Sequence, residues 1–408
     1  MRGFAWFNLR HLEGVAEIRR TGSFGAAAGA ISLTQSALTQ AVASLERRVE
    51  RSLFERQPRG ASPTTAGHLL TDSVDRALAI LNAADPSHRT PLVRRVTGTQ
   101  LLALAAVESA GAFRGGARAS GLSEASIHRA VRDLERSLGV ALIVRTGTGI
   151  APTSVATALA HAARQAMAEI ELGLEAARNG GRAVVVGAMP LVRAGLLPSA
   201  MAQLCAREPH ARVRVMEGAY TELLAALLDG KIDMLLGALR EAAPDGAIQR
   251  QLFNDDMVVV ARSDHPLARN SDWQASALAD FPWAASPAGT PRRARWEEML
   301  RAGGIEPPSP QVECSSASAA RGLLLQGNWL AMLSPDQFRI ERELGLLIPL
   351  GGPLPISTRP IGITLRAGWQ PDRIQALMID ILIWCADQHA MIPASTSLLG
   401  IAGQQTAD

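Results

Sequence analysis

Aromatic side chains are scarce: seven Trp, eight Phe and one Tyr, 4% of 408 residues. Stacking the bases of a single strand needs exposed rings, so that mode of nucleic-acid binding is disfavoured. Lysine is almost missing as well, Lys231 being the single one among 41 basic residues, which reflects composition because arginine carries the same charge. Cys205, Cys314 and Cys385 lie far apart with no C-x-x-C spacing, and the eight histidines show no metal-ligand spacing. A reducing compartment fits, and neither a metal nor a cofactor is expected. The amino terminus has no uninterrupted apolar run before a small-residue cleavage site. The longest apolar stretch, Ile374 to Ala386, is broken by Gln375 and Asp380 and is too short to span a bilayer. A cytoplasmic location and no membrane partner are therefore expected. There is no Gly-rich phosphate loop, no G-x-S-x-G elbow, and no nucleophile beside a base, since Ser286 and Ser334 lack an evident His partner. No catalytic residues are assigned.

What is present is a folded, multidomain composition. Apolar residues make up 47% and charged residues 19%, and a chain of this length divides into two to four units. Net charge is only +3, but residues 1–180 carry 21 Arg against 15 acids, whereas residues 181–408 carry 20 basic residues against 23 acids. The front half suits an anionic partner, although an ordinary solvated surface produces such an asymmetry too.

Sliding the sequence on itself reveals a duplication at an offset of 89, with 17 identities in the 55 positions from Leu12 to Ala66 and no gap. Leu45-Glu46-Arg47 maps onto Leu134-Glu135-Arg136, and Pro63-Thr64 onto Pro152-Thr153. Within copy one, Leu9 to Arg19 reads as a helix stopped by Gly22, Ser23 caps a short Ala-rich helix, and Thr34 caps a third. That third helix places Leu38, Val42, Leu45 and Val49 on one buried stripe, leaving Gln35, Ser36, Thr39, Gln40 and Arg47 facing outward. Copy two repeats the stripe with Ile127, Val131, Leu134 and Leu138, and turns Glu124, His128, Arg129, Arg132 and Arg136 outward. Each third helix is followed by a β-like run, a Gly-containing turn and a Pro-Thr opening another helix. Three helices and a small hairpin are the parts of a winged helix-turn-helix.

Leu9-Arg10-His11-Leu12, Gly22-Ser23-Phe24, Thr34 to Thr39, Leu45-Glu46, Leu53-Phe54-Glu55-Arg56 and Pro63 to Gly67 resemble the amino-terminal signature of LysR-type transcriptional regulators. The resemblance implies that Gln35 to Gln40 enter the major groove of double-stranded DNA, that Arg56 and Arg59 on the wing touch backbone, and that Thr64 to Leu81 is a linker helix pairing between subunits. On this basis the DNA-binding candidates are Ser23, Thr34, Gln35, Ser36, Thr39, Gln40, Arg47, Arg56 and Arg59 in copy one. In copy two they are Arg114, Ser123, His128, Arg129, Arg132 and Arg145. Amides pair with adenine or phosphate, hydroxyls reach either, and guanidiniums hold phosphate or guanine. Glu124, standing where copy one has Gln35, repels phosphate, so copy one is expected to read bases while copy two grips a neighbouring stretch or acts as a spacer.

From Arg182 the pattern changes to β-α-β-α-β: a strand Ala183 to Gly187, a helix Val192 to Arg207, a strand near Val213, a helix Thr221 to Leu228, and a strand Met234 to Gly237. Such sheets bind ligands at the carboxyl ends of their strands. Gly187, Leu196-Leu197-Pro198, Asp229 to Asp233 and Arg262 to Leu267 resemble the same family's effector domain. The resemblance implies a two-lobed α/β fold like that of periplasmic binding proteins, crossing between lobes near Met257 and Thr358, with a small-molecule effector in the cleft. Carried over as effector-binding are Ala188, Met189 and Pro190, Gly237 and Ala238, Gly289, Thr290 and Pro291, and Leu333 and Ser334. Arg292 or Arg293 beside a helix start suits a carboxylate effector. Equally, both arginines can simply cap solvent-facing turns.

The expected architecture is thus two tandem α-helical winged helix-turn-helix domains, each with a linker helix, at 8–84 and 98–180. A flexible joint at 85–97 separates them. A two-lobed domain follows at 182–390, lobe 1 being about 182–257 with 358–390 and lobe 2 about 258–357, and then a tail at 391–408. The mostly apolar segment Thr153 to Arg178 would leave a wide greasy face in water, so pairing with its twin in a homodimer, or in a homotetramer, is expected. RNA polymerase is a further expected partner of such a regulator. The rival readings are a cytoplasmic small-molecule-binding protein or an enzyme on the same two-lobed fold.

Overall fold

The computed structural model describes residues 8–57, 60–85, 90–147, 149–269, 273–351 and 357–390. The chain divides into one unit built on residues up to Val185 with His210–Arg214 and Leu224–Asp233, and a second built from the rest.

The first unit runs α1 (Leu9–Thr21), α2 (Phe24–Ala30), α3 (Gln35–Val49), β1 (Phe54–Gln57), β2 (Gly60–Pro63) and α4 (Thr65–Ala83). It then repeats as α5 (Gly98–Ala110), α6 (Phe113–Ser120), α7 (Glu124–Leu138), β3 (Ile143–Thr146), β4 (Gly149–Pro152) and α8 (Ser154–Asn179). Helix starts follow the hydroxyls: Ser23 accepts from Ala26 N at 3.3 Å, Thr34 from Ala37 N at 3.2 Å and Ser123 from Ser126 N at 3.1 Å. Each such cap is worth about 1 kcal/mol. Copy two lacks one of them, for α6 starts on Ala112 with no side-chain cap. Gly22 and Gly111, both at φ 64, end α1 and α5 in the left-handed conformation that glycine adopts without a Cβ penalty.

Both predicted stripes are buried. A Cβ on Gly14 would lie 2.6 Å from Leu38 Cδ1, so a bare glycine lets α1 cross closely over α3. The repeated Leu-Glu pair has a structural cause: Glu46 accepts from Leu53 N at 2.8 Å and Glu135 from Leu142 N at 2.8 Å, tying each third helix to its hairpin. In copy one the hairpin also docks on the turn after α1, where Ala61 N donates to Gly22 O at 2.7 Å. In copy two nothing described lies within 4 Å of where a Cβ on Gly149 would be.

Two expectations are corrected here. The described part of the joint is not a free linker: Leu92, Val93 and Val96 are buried, and Leu92 N donates to Asn82 Oδ1 at 2.8 Å. Burying such side chains contributes roughly 1.5–3 kcal/mol each, and the neighbouring guanidiniums of Arg94 and Arg95 find Glu13 and Asp85. The apolar face of α8 is not left for another subunit either, because α4 of the same chain covers it. Gly173 sits against Ser73 and Leu70, and Arg76 Nε donates to Glu169 Oε1 at 2.6 Å. On α8, Arg164 bridges Glu108 at 2.9 Å and Asp229 at 2.6 Å, both ion pairs nearly buried.

The later strands and helices are β5 (Ala183–Ala188), α9 (Leu196–Arg207), β6 (Arg212–Glu217), α10 (Tyr220–Leu228), β7 (Met234–Ala238) and β8 (Ala247–Arg262). Then come α11 (Pro266–Arg269), β9 (Trp283–Ala285), α12 (Pro291–Ala302), β10 (Val312–Glu313), α13 (Ala317–Leu324) and β11 (Leu330–Leu333). α14 (Arg339–Glu343), β12 (Leu347–Pro349), β13 (Ser357–Arg366) and α15 (Arg373–Ala390) close the described chain. The helix expected from Val192 is split, with a 3-10 turn at Pro190–Arg193 and α9 starting only after Gly195.

The strand order is β10-β9-β11-β8-β13-β7-β5-β6, with β12 also on β8. β5 and β7 are parallel, as are β9 with β10 and β11, whereas β13 runs antiparallel to both β7 and β8. β8 changes partner midway: Met257 faces Ser357 of β13, and Val258 faces Leu333 of β11. A bulge at Ile361/Gly362 needs the glycine, since a Cβ there would lie 2.1 Å from Arg250 O. Trp283 and Trp296, ring centroids 5.4 Å apart, anchor one core beside β9. Among the described residues no helix is long and apolar enough to cross a membrane.

Candidate nucleic-acid and effector sites

The 3.6-residue period of α3 sets Leu38, Val42 and Leu45 inward and leaves Thr34, Gln35, Ser36, Gln40 and Arg47 exposed. Thr39 is half-buried and donates to Gln35 O at 2.9 Å, so its hydroxyl is already engaged with its own helix. Ser36 and Thr34 share a hydroxyl–hydroxyl bond of 3.1 Å at the helix entry. Ser23 is half-buried as the cap of α2. Arg56 stands in β1 opposite Ala61, and Arg59 lies outside the described residues. The outer face of α3 is therefore amide and hydroxyl, ending in arginine.

On α7 the exposed residues include Glu124, Arg129, Arg132 and Arg136, and its cap Ser123, Arg114 on α6 and Arg145 on β3 are exposed as well. His128 is different. Its ring stacks on Phe113 at 3.8 Å with an interplanar angle of 18°, so one ring face is covered and the residue also serves to hold α6 against α7. The periodicity placed it outward, and only the contact with an aromatic from another helix shows its second partner. Glu124 occupies the first turn of α7, where a carboxylate favours the helix dipole.

The expected effector residues fall into separate groups. Met189 N donates to Leu236 O at 2.9 Å, and a Cβ on Gly237 would lie 2.4 Å from Met189 Sδ, so Met189 fills the space over that glycine. Ala188 is buried in β5, while Pro190 and Ala238 are half-buried. Thr290 caps α12 and donates to Pro287 O at 2.8 Å, flanked by exposed Gly289 and Pro291. Leu333 and Ser334 are buried at the end of β11.

Sequence reasoning named Ser334 and Arg292 but missed Asp255 and Arg359 beside them. Asp255 of β8 sits directly across from Arg359 of β13 and accepts its Nε–H at 3.0 Å, while the Ser334 hydroxyl donates to the other carboxylate oxygen. Arg359 Nη2 is buried without a partner among the described residues. Arg292 reaches Gln337 Oε1 at 3.4 Å. Burial, then the charge of Arg359, lowers the Arg292 guanidinium from its ordinary value. A small depression, part of it open to solvent, is lined by Arg292, Ser286, Trp296, Cys314 and Leu333 among others. Of the expected effector residues only Leu333 lines it. Beside it, Asp255 is bonded to Arg359 and acts on Arg292 through charge alone, so two guanidiniums face one carboxylate. No spacing rule links residues 255, 292 and 359: strand pairing sets Asp255 across from Arg359, and Arg292 comes from the start of α12.

A repeated helical module with a polar third-helix face, ahead of an α/β ligand-binding domain, defines a helix-turn-helix transcriptional regulator. The family description "LysR substrate binding domain" matches residues 177–383, and "Bacterial regulatory helix-turn-helix protein, lysR family" matches twice, over 9–68 and 99–157. The chain is 32% identical over 376 residues to the HTH-type transcriptional regulator GalR of Pseudomonas putida, covering 88% of this chain and 93% of that one. It is 27% identical to PcaQ of Agrobacterium fabrum, covering 64% of this chain and 86% of that shorter relative. Among solved structures, the full-length LysG regulator of Corynebacterium glutamicum with bound effector Arg is 18% identical with a TM-score of 0.49, covering 71% of this chain and 97% of that one. The chain belongs to the LysR-type transcriptional regulator family, a DNA-binding and non-enzymatic family with an effector-binding domain.

Proposed function

We propose that the chain regulates transcription by laying α3, and α7 of a second winged module, into promoter duplex, under control of a small carboxylate bound beside Arg292 and Arg359. The observation that carries the DNA reading is the pair of exposed polar faces on α3 and α7, each backed by a buried apolar stripe. Reading roles go to Gln35, Ser36 and Gln40, with Arg47, Arg56 and Arg59 on phosphate. In copy two Arg129 and Arg132 carry the face, with Arg114 and Arg145 beside it. The tandem winged domains then span 8–84 and 98–180, and the two-lobed effector domain 182–390, with the change of partner in β8 at Met257 supporting the boundary between lobes. The unpartnered Arg359 Nη2 and the second guanidinium of Arg292 support an anionic effector. A homodimer fits the family, and exposed Ile340, Leu344 and Trp384 supply apolar area for it in the second unit. Action on DNA sets the protein in the cytoplasm with RNA polymerase as the machinery it influences.

Gel-shift titration over a salt series tests this. Gln35→Ala relaxes base preference, costing roughly 1–3 kcal/mol at the preferred base, whereas loss of one phosphate-holding arginine weakens all sequences alike and lowers the salt slope by about 1. Binding that ignores salt, or that survives Gln35→Ala with Arg129→Ala unchanged, removes α3 and α7 from the interface. A thermal-shift screen of small carboxylates, with Arg292→Ala as control, tests the effector class.

A further inference from the structure

The two modules of the first unit share a scaffold but not a face. α4 and α8, each following a hairpin, run in opposite directions against one another: Ser73 meets Gly173, while Arg76, further along α4, meets Glu169, earlier on α8. Any position on α4 is equivalent to the one 89 residues later on α8. An antiparallel contact between equivalent helices is the pattern that a two-fold axis generates, so one polypeptide holds a pseudo-symmetric pair of modules. Equivalent outward positions differ in chemistry, Gln35 against Glu124, Ser36 against Ala125, Thr39 against His128 and Gln40 against Arg129. The wings differ as well, one docked through Ala61 and Gly22, the other with open space at Gly149. An identical pair of modules reads an inverted repeat because operator symmetry mirrors protein symmetry.

We propose that a single chain recognises a bipartite duplex whose two halves are unlike, with the α4–α8 pair setting their spacing inside one polypeptide. The proposal rests on the DNA-binding reading of α3 and α7. Amides on α3 favour adenine in one half, and Arg129 with Arg132 on α7 favours guanine in the other.

The test uses the full-length protein to select duplexes from a random pool, followed by mass measurement of the complex on the selected site. The expected motif has two non-identical halves at fixed spacing, one chain per copy of that motif, and roughly ten-fold weaker binding for a wrong base under Arg129. Inserting about 5 base pairs, half a helical turn, between the halves reduces affinity to that of one half alone. The chain carrying Glu124→Gln, Ala125→Ser, His128→Thr, Arg129→Gln and Arg132→Ala together then selects an inverted repeat of the first half. Should the unaltered protein select an inverted repeat, or need two chains for one motif, the proposal is overturned while the DNA-binding reading stands. Absence of salt-sensitive binding to any duplex overturns both.

Discussion

The contact between Gly173 and Ser73 gives the most direct measure of how tightly α4 and α8 are locked. A Cβ added at position 173 would lie 2.4 Å from Ser73 Cβ, 2.8 Å from Ser73 Oγ and 3.5 Å from Leu70 Cδ1. In an isolated helix, glycine to alanine stabilises by about 1 kcal/mol. Here the methyl group enters a filled seam next to buried Ser73, and overpacking of that kind costs typically 1–3 kcal/mol. With contacts this short the upper end applies, so Gly173→Ala destabilises the first unit by about 2 kcal/mol net, or a melting shift of roughly 4–8 °C for a unit of this size. Ser73→Gly alone is also destabilising, because it forfeits the bond from Arg76 Nη2 to Ser73 Oγ at 2.9 Å and places glycine inside α4. The two changes in one chain move the small residue across the seam and recover about 2 kcal/mol relative to their sum. Thermal and urea denaturation of the four proteins of this cycle measure it. Additive effects, or stabilisation by Gly173→Ala alone, would refute close packing of these helices within a chain.

The caps predict opposite outcomes in the two copies: Ser23→Ala costs about 1 kcal/mol, while Ala112→Ser gains a few tenths to 1 kcal/mol, both read by denaturant midpoint. Burial alone would raise the Glu169 carboxyl, but hydrogen bonds and charge from Arg182 and Arg76 overcome it and hold the group below the ordinary carboxylate range. Its contribution is therefore complete above the unfolded value near pH 4.3 and is lost as pH falls through the folded value. Glu169→Gln costs about 3 kcal/mol at pH 7 and flattens the acid limb of a stability-against-pH curve; an unchanged acid limb would exclude this role. A Cβ on Gly67 would meet Leu53 O at 2.0 Å, so Gly67→Ala parts α4 from the hairpin of copy one and lowers the melting temperature, leaving any thermal shift given by an effector on the second unit unchanged.

Much of the first unit was legible in sequence because its determinants are local: hydroxyl caps, terminating glycines, and apolar spacings of three and four residues. The Leu-Glu pair was visible as a repeat, yet its cause, a carboxylate holding the hairpin amides, required the fold. Misreadings came where long-range packing decides. The two prolines and three arginines of residues 85–97 read as a flexible joint, but burial of Leu92, Val93 and Val96 fixes its described part. The face of α8 looked unpartnered because nothing local tells a helix that a copy of itself 89 residues earlier will cover it. In the second unit, strands were readable from β-branched runs, whereas the pair Asp255 and Arg359 arises from strand register, with Arg292 added from α12, and leaves no periodic trace.

Joining α4 and α8 through one backbone changes how their association depends on abundance. An interface between separate chains dissolves on dilution, its occupancy following the free subunit level. Here the local concentration is fixed by the covalent connection and stays the same at any expression level, so a few molecules per cell carry the helix pair as completely assembled as many thousands do.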